Sequence, residues 1–224
     1  MSIKKILEQT NSVRSFQKRK ISMEDIIDIL ETAKLTSSGG NIQPWLVKCV
    51  QNTKTLEKIT TKISKKILNK EEFEEDIIYY PTVWKTQYKY RRAMTGKDFY
   101  KVASINRKDE KERLKAWIDN FKWFGSETVM FIYVDKIFTD SSTGMLIDIG
   151  MFIQNIVHRA EELGIDHCIQ GSIGEYADTI KKIIDIPEDN ALLLSIVLGY
   201  KDDNIKNSFK PNRIELKEFV QFDN

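Results

Sequence analysis

The sequence predicts a single three-layer α/β domain, and three observations predict it. Four apolar runs of strand length alternate with segments whose apolar residues recur at helical spacing. The 224 residues, 41% of them hydrophobic, suffice for one sizeable core. No internal repeat and no low-complexity linker divides the chain.

Taken in order, a short helix is expected at 3–9 and a second at 23–35, capped by Ser22 and turning Ile26, Ile27, Leu30 and Ala33 to the core. "WLVKCVQ" (45–51) reads as a strand and "TLEKITTKISKKIL" (55–68) returns to helical periodicity. The run "KKILNKEEFEED" (65–76) switches charge sign abruptly, as at a solvated helix end. Residues 80–122 are polar, aromatic and mostly helical in pattern. "TVMFIYV" (128–134) is a buried strand. Leu146, Ile149, Phe152, Ile153, Ile156, Val157, Ala160 and Leu163 then trace the face of a central helix that Gly164 ends. "DHCIQGS" (166–172), a helix near 175–185 stopped before Pro187, and "ALLLSIVLGY" (191–200) complete the pattern.

Composition excludes several function classes. Thirty-five basic against 33 acidic residues leave a net charge of +2, so no strong field favours nucleic acid or a membrane surface. No apolar run approaches the roughly 20 residues of a bilayer span, and "MSIKKILEQT" lacks a signal-peptide core, so a soluble cytoplasmic protein is expected. Cys49 and Cys168 lie in predicted strands and read as reduced core thiols. No G-x-G-x-x-G follows a strand, "TGKD" lacks phosphate-loop spacing, and no G-x-S-x-G elbow occurs. His158 and His167 have no partner at ligand spacing, so no metal is expected. An enzyme built this way needs a cofactor to carry its chemistry.

Three stretches concentrate polar chemistry: "NSVRSF" (11–16), "TSSGGNIQPW" (36–45) and "NSFKPNRIELKEFVQF" (207–222). With "GMFIQNIVHRAEELGID" (150–166), "IPED" (186–189) and "LGY" (198–200), their order and spacing resemble the FMN-dependent nitroreductase family over nearly the whole chain. The middle, with "YRRAMTGKDFYKV" and "NFKWFG", looks like a subgroup with a helical insertion. The resemblance implies a mixed central sheet flanked by helices, in an intertwined homodimer with FMN at the subunit interface. It implies one domain, 1–224, with an insertion or lid at about 80–122 and a C-terminal extension at about 202–224 lying over the partner.

FMN offers a phosphate, a ribityl chain, a pyrimidine edge and a flat ring. On the resemblance, Arg14 lies along the ribityl and pyrimidine side and Arg213 holds the phosphate with a forked, permanent charge. Ser12 and Ser38 supply hydroxyls, joined by Ser37 in place of the family's usual proline. Asn41 meets the flavin edge with donor and acceptor, Gln43 adds a contact, and Gly39 and Gly40 admit backbone approach. Asn11 and Val13 complete the N-terminal set. Gln170 and Gly171 match the position whose main-chain N–H groups face N5. Thr10 and Asn11 stand where the family often has two basic residues, which leaves Lys206 or Lys210 to meet phosphate charge. Trp45 reads as packing.

The implied reaction is ping-pong: NADH or NADPH gives hydride to the flavin, then a nitroaromatic, quinone or similar acceptor takes its place, with no side-chain acid strictly required. The 80–122 segment is expected to be a lid, with Tyr88, Tyr100, Trp123 and Phe124 as pocket walls. The alternatives are a flavin-sequestering or sensing protein of this fold, which would bind FMN but be reduced slowly, or a reductive dehalogenase-like member.

Overall fold

The computed structural model describes residues 2–73, 75–140 and 143–223; Glu74 of the charge-switching run lies outside them. Helix α1 (Ile3–Gln9) and α2 (Met23–Ala33) open the chain, and the Ser22 side chain accepts from Asp25 N as the capping pattern predicts. Strand β1 (Leu46–Val50) leads to α3 (Thr53–Asn69), whose N-terminus Asn52 caps. Helices α4 (Thr86–Val102) and α5 (Glu110–Asn120) fill the middle. Then come β2 (Thr128–Asp135), the single turn α6 (Ile137–Asp140), α7 (Met145–Glu162), β3 (Asp166–Gln170), α8 (Ala177–Ile184) and β4 (Asn190–Gly199). Gly164, at φ 72°, supplies the left-handed residue that ends α7, and Ile165 N closes the turn on Ala160 O.

The sheet has the order β1-β2-β4-β3, and all three pairings are antiparallel. Its parallel component is one isolated bridge, Ser12 to His167, so the expected mixed character comes from the N-terminal segment alone. Strand β4 is buried at all ten positions, which explains why "ALLLSIVLGY" reads as continuous rather than alternating.

Alternation along the strands sorts the core into two layers. Val129, Phe131, Leu192 and Val197 face one side with Val13, Phe16, Phe121 and the buried faces of α3 and α8. Met130, Ile132, Ile196 and Leu198 face the other, under α2 and α7. The α2 face corrects one expectation: Ile29 is buried and Ile27 is 54% exposed. Residue 29 lies three after Ile26 and four before Ala33, on the same stripe, whereas 27 is rotated off it.

The 80–122 segment differs in kind: α4 and α5 contain no buried residue. Rings hold them, through Phe99 against Phe209 at 5.5 Å and Trp117 edge-on to Phe121 at 5.6 Å. The tail was expected to lack a partner within its own chain, and half of it has one. Phe209 is buried, Phe16 bridges Lys201, and Glu218 pairs with Arg91 at 3.5 Å, while Leu216, Phe219 and Phe222 remain exposed. Among the described residues no helix is long and apolar enough to cross a membrane.

Candidate active site

The N-terminal stretch, the end of β3 and the tail meet at one edge of the sheet. Val13 N donates to His167 O at 2.9 Å, which stitches residues 11–14 along β3. Asn207 then clasps the same segment: its Oδ1 accepts from Arg14 N at 2.8 Å and its Nδ2 donates to Ser15 O at 2.8 Å. Asn11 Nδ2 donates to Asn207 O and Phe209 O at 2.8 and 3.2 Å. Asn207 was missed in the sequence, although it sits in "NSFKPNR" between residues singled out for their charge.

This geometry revises several expectations. The Asn11 amide nitrogen is spent on tail carbonyls, so Asn11 positions the tail rather than offering that donor to a ligand. The Val13 side chain is fully buried in the core, leaving only its main chain toward the site. Gln170 is buried too; its Nε2 donates to Asn120 O at 2.8 Å and its Oε1 accepts from Ser195 at 3.2 Å. Trp123 lines neither cavity beside Arg14: it is 2% exposed and packs edge-on against Phe131 at 5.6 Å. An aromatic in a polar stretch invites a ligand role, but the Trp123 indole lies in the core, where its Nε1 donates to Leu56 O at 3.4 Å. Tyr88 stands half-exposed beside Arg91 and lines no part of the main cavity.

Arg14 does reach the cavities. Its guanidinium lies 4.6 Å from the Phe99 ring centre and donates to Ser12 O at 3.1 Å. It borders a cavity of about 840 Å³ lined mostly by α4, α5 and their flanks, shared with Tyr100 and Trp117. On its other side lies a small cavity of about 50 Å³ that Phe124 and Lys206 also line. Gly171 has a steric reason to be glycine, because a Cβ there would stand 2.9 Å from the Tyr79 ring. Its bare backbone therefore already accepts a flat ring at close approach. Lys210 reaches back to Glu8 O at 3.0 Å, and the exposed Arg213 makes only a local bond to Pro211 O at 2.9 Å.

One acid near this edge departs from ordinary behaviour. Burial and the neighbouring Glu75 push Glu175 up to about 7. Burial also raises both cysteine thiols to about 11, as inert core thiols require; Cys49 is only partly buried. His167 is a buried strand residue paired with Glu161 at 2.9 Å, and His158 meets Gln154 at 2.9 Å on the helix surface. Among the described residues, no group of three or more His, Cys, Asp or Glu is placed to hold a metal ion.

The loop Ser37–Gln43 lies elsewhere. Asp148 of α7 accepts from Gly39 N at 3.0 Å, Asn155 donates to Thr36 at 2.7 Å, and Ser38 Oγ accepts from Gln43 N at 2.9 Å. Gly40, Asn41 and Gln43 all have φ between 53° and 57°, a conformation open to the glycine and costly for Asn41 and Gln43. Trp45 stacks on Phe152 at 4.7 Å and 4°, as packing. The loop thus rests on the α2 and α7 layer and feeds β1. Arg14, Gly171 and the tail stand at β3, the opposite edge, three strand spacings or roughly 14 Å away. One chain therefore does not bring all the predicted residues together.

An α+β domain in which an arginine segment, a small-residue loop and a basic tail follow in that order defines a class, and the comparisons place the chain in it. Residues 7–200 match the Nitroreductase family, and the chain belongs to that family. A 4-nitrobenzoate reductase of Pseudomonas putida is 24% identical over 97% of this chain and 93% of its own length. The fold is similar to that of an FMN and NADPH-dependent nitroreductase NfnB from sphigopyxis sp. strain HMH, with a TM-score of 0.95, 24% identity and full coverage of both chains. NfnB from Mycobacterium smegmatis in complex with NADPH superimposes with a TM-score of 0.91 at 22% identity, covering 99% and 97% of the two chains.

Proposed function

We propose that the protein is an FMN-dependent NAD(P)H oxidoreductase that reduces nitroaromatic, quinone or similar electron-poor acceptors, and that it works as a homodimer. One observation carries this reading: in a chain of the Nitroreductase family, Arg14 lines a large cavity beside α4 and α5 while its main chain is clasped by Asn207 of the tail.

The donor set fits FMN. Arg14 has guanidinium N–H groups to spare beyond its bond to Ser12 O, and in this reading it would face the pyrimidine edge. Lys206, Lys210 and Arg213 supply charge for the phosphate, and Gly171 admits a flat ring against its main chain. Ser12 adds a hydroxyl on the same side. The chemistry that FMN supplies when bound is hydride acceptance from NADH or NADPH and return of electrons to the acceptor. Arg14 stabilises negative charge on the ring's pyrimidine side, and the lid excludes water while leaving one face open to successive substrates.

The Ser37, Ser38, Gly39, Asn41 and Gln43 loop then serves the flavin of a second copy, because its own chain's sheet stands between it and Arg14. Exposed Leu35, Ile42, Leu46, Ile147 and Met151 surround that loop or lie on α7, a patch suited to a two-fold contact. Exposed Leu216, Phe219 and Phe222 give the end of the tail an apolar edge to lay over the partner. The visible spectrum of purified protein before and after anaerobic NADPH tests the reading, with a sizing column beside it. A yellow dimer bleached by NADPH is expected; a colourless protein that takes up no added FMN, or a flavin-loaded monomer, overturns it. Slow bleaching by both nicotinamides would favour the sequestering alternative.

A further inference from the structure

The cavity under the lid carries an unusual charge arrangement. Lys89 and Arg92 of α4, Arg107, and Arg113 of α5 line it together with Arg14, and no Asp or Glu does. Among the described residues, none of these five cations forms an ion pair. Three acids of the same segments are committed elsewhere. Asp109 caps α5 by accepting from Lys111 N at 2.8 Å, Glu112 bonds Asn106 N, and Asp119 pairs with Lys122 and Lys206 at 3.6 and 3.7 Å. In a chain of net charge +2, four lid cations and Arg14 thus line one space with no carboxylate among its walls. Uncompensated like charges around a partly enclosed space repel, and an anion inside it relieves the repulsion.

The remaining walls say what else that anion carries. Trp84, Tyr100 and Trp117 line the same space, and the Arg92 guanidinium lies 4.7 Å from the Tyr80 ring and 5.4 Å from the Trp84 ring. Flat apolar walls take an aromatic ring, and forked guanidinium groups take a carboxylate in two-point contact. On the flavin reading above, Arg14 and the tail cations serve the cofactor, which leaves Lys89, Arg92, Arg107 and Arg113 for the second substrate.

We propose that these four lid cations select electron-poor aromatic acceptors bearing an anionic ring substituent, a nitrobenzoate rather than a neutral nitroarene. The inference rests on the flavin reading for the identity of the site, but the anion selectivity belongs to the lid alone.

Titration calorimetry on the full chain, with and without FMN, compares 4-nitrobenzoate with 4-nitrotoluene, a neutral compound of similar size. The carboxylate is expected to bind at least about tenfold tighter, the worth of one charge-assisted contact, with the margin shrinking as salt rises. Arg92→Gln/Arg113→Gln should bring the ratio to within about threefold of unity while retaining the far-ultraviolet circular dichroism of the parent; Lys89→Gln, at an exposed position, provides a second variant. Stopped-flow reoxidation of reduced enzyme by the two compounds should show the same change in ratio. Equal affinity in the parent protein, or a ratio untouched by the variants, overturns the proposal. So does a fall in preference for NADPH over NADH with the acceptor ratio unchanged, which would assign the cations to the cosubstrate's 2′-phosphate. Protein that takes up no FMN yet still prefers 4-nitrobenzoate would overturn the flavin reading and leave the selectivity standing.

Discussion

The two halves of this molecule obey different rules. In the sheet sandwich, strands and helices bury Val129, Phe131, Ile156 and Val197 almost completely, so shape and volume decide which residues are tolerated. In the lid, no residue of α4 or α5 is buried, and rings, guanidinium groups and caps decide instead. The contrast separates stability from specificity. A substitution in the first region changes how much protein is folded, whereas one in the second changes what the folded protein binds.

The sharpest way to break that separation is Phe131→Ala. Phe131 is fully buried on the central strand β2 with the Trp123 indole against it, so truncation leaves a cavity and should cost about 3–5 kcal/mol in urea unfolding. Tyr88→Ala, at an exposed lid position, should stay within about 0.5 kcal/mol. Comparable losses at the two sites would mean that the lid is part of the core.

Asn207→Ala tests the seam between tail and scaffold. The side chain accepts from Arg14 N and donates to Ser15 O and Asp202, so its removal strands a donor and acceptors and should cost about 2 kcal/mol. Because the same clasp positions Lys210 and Arg213, FMN affinity should fall as well, measured by titrating flavin-free protein. Unchanged affinity would show that the tail finds its place without the clasp.

Arg213→Ala should act on the cofactor alone. Arg213 is exposed and bonded only locally, so unfolding should not register its loss, while FMN should bind roughly ten- to hundred-fold more weakly if one phosphate contact of about 1.5–3 kcal/mol disappears. In saturated protein, hydride transfer should be unchanged, since a remote contact binds ground and transition states alike. Arg14→Ala should instead slow anaerobic reduction even at saturation. Equal slowing in both would erase the division between phosphate and ring contacts.

How much of this was legible beforehand follows the same divide. The strands and the core helices are visible in the sequence because burial imposes a period of two or of about 3.6 on apolar residues, whereas α4 and α5, which bury no residue, read only as a mostly helical stretch without bounds. Ile29 was lost among three isoleucines in a row of four positions, where periodicity must be counted rather than glimpsed. The arrangement of the candidate site was less legible. Residue types pointed to Arg14 and Gly171, but nothing local distinguishes an aromatic turned inward, such as Trp123, from one turned to a ligand, and Asp148 supports the Gly39 loop from 109 positions away. The separation of that loop from Arg14 depends on strand order, which periodicity does not encode.

The smallest effect expected lies where core and lid meet. Glu175 sits in the turn Gly171–Tyr176, next to Tyr176, whose ring packs edge-on against Phe121 at 5.1 Å. Burial first, and repulsion from Glu75 second, raise its carboxyl to about 7 from an ordinary 4.5. Between those two values the folded chain holds a proton that the unfolded chain has released, so this group's contribution is greatest below about 4.5 and is lost as pH rises toward 7. Allowing for solvent screening at a part-buried site, the loss should be about 1–2 kcal/mol. Glu175→Gln removes the titration and keeps the shape, so its stability should decline less between pH 4.5 and 7 and should match or exceed the parent's at pH 8. Glu75→Gln removes only the neighbouring charge and should shift the midpoint of the decline toward lower pH without abolishing it. Unfolding free energies measured across pH 4–8 decide the point. Parallel curves for Glu175→Gln and parent would mean that the carboxyl is as well solvated as any on the lid, and that the boundary between the two regions runs on the core side of this turn.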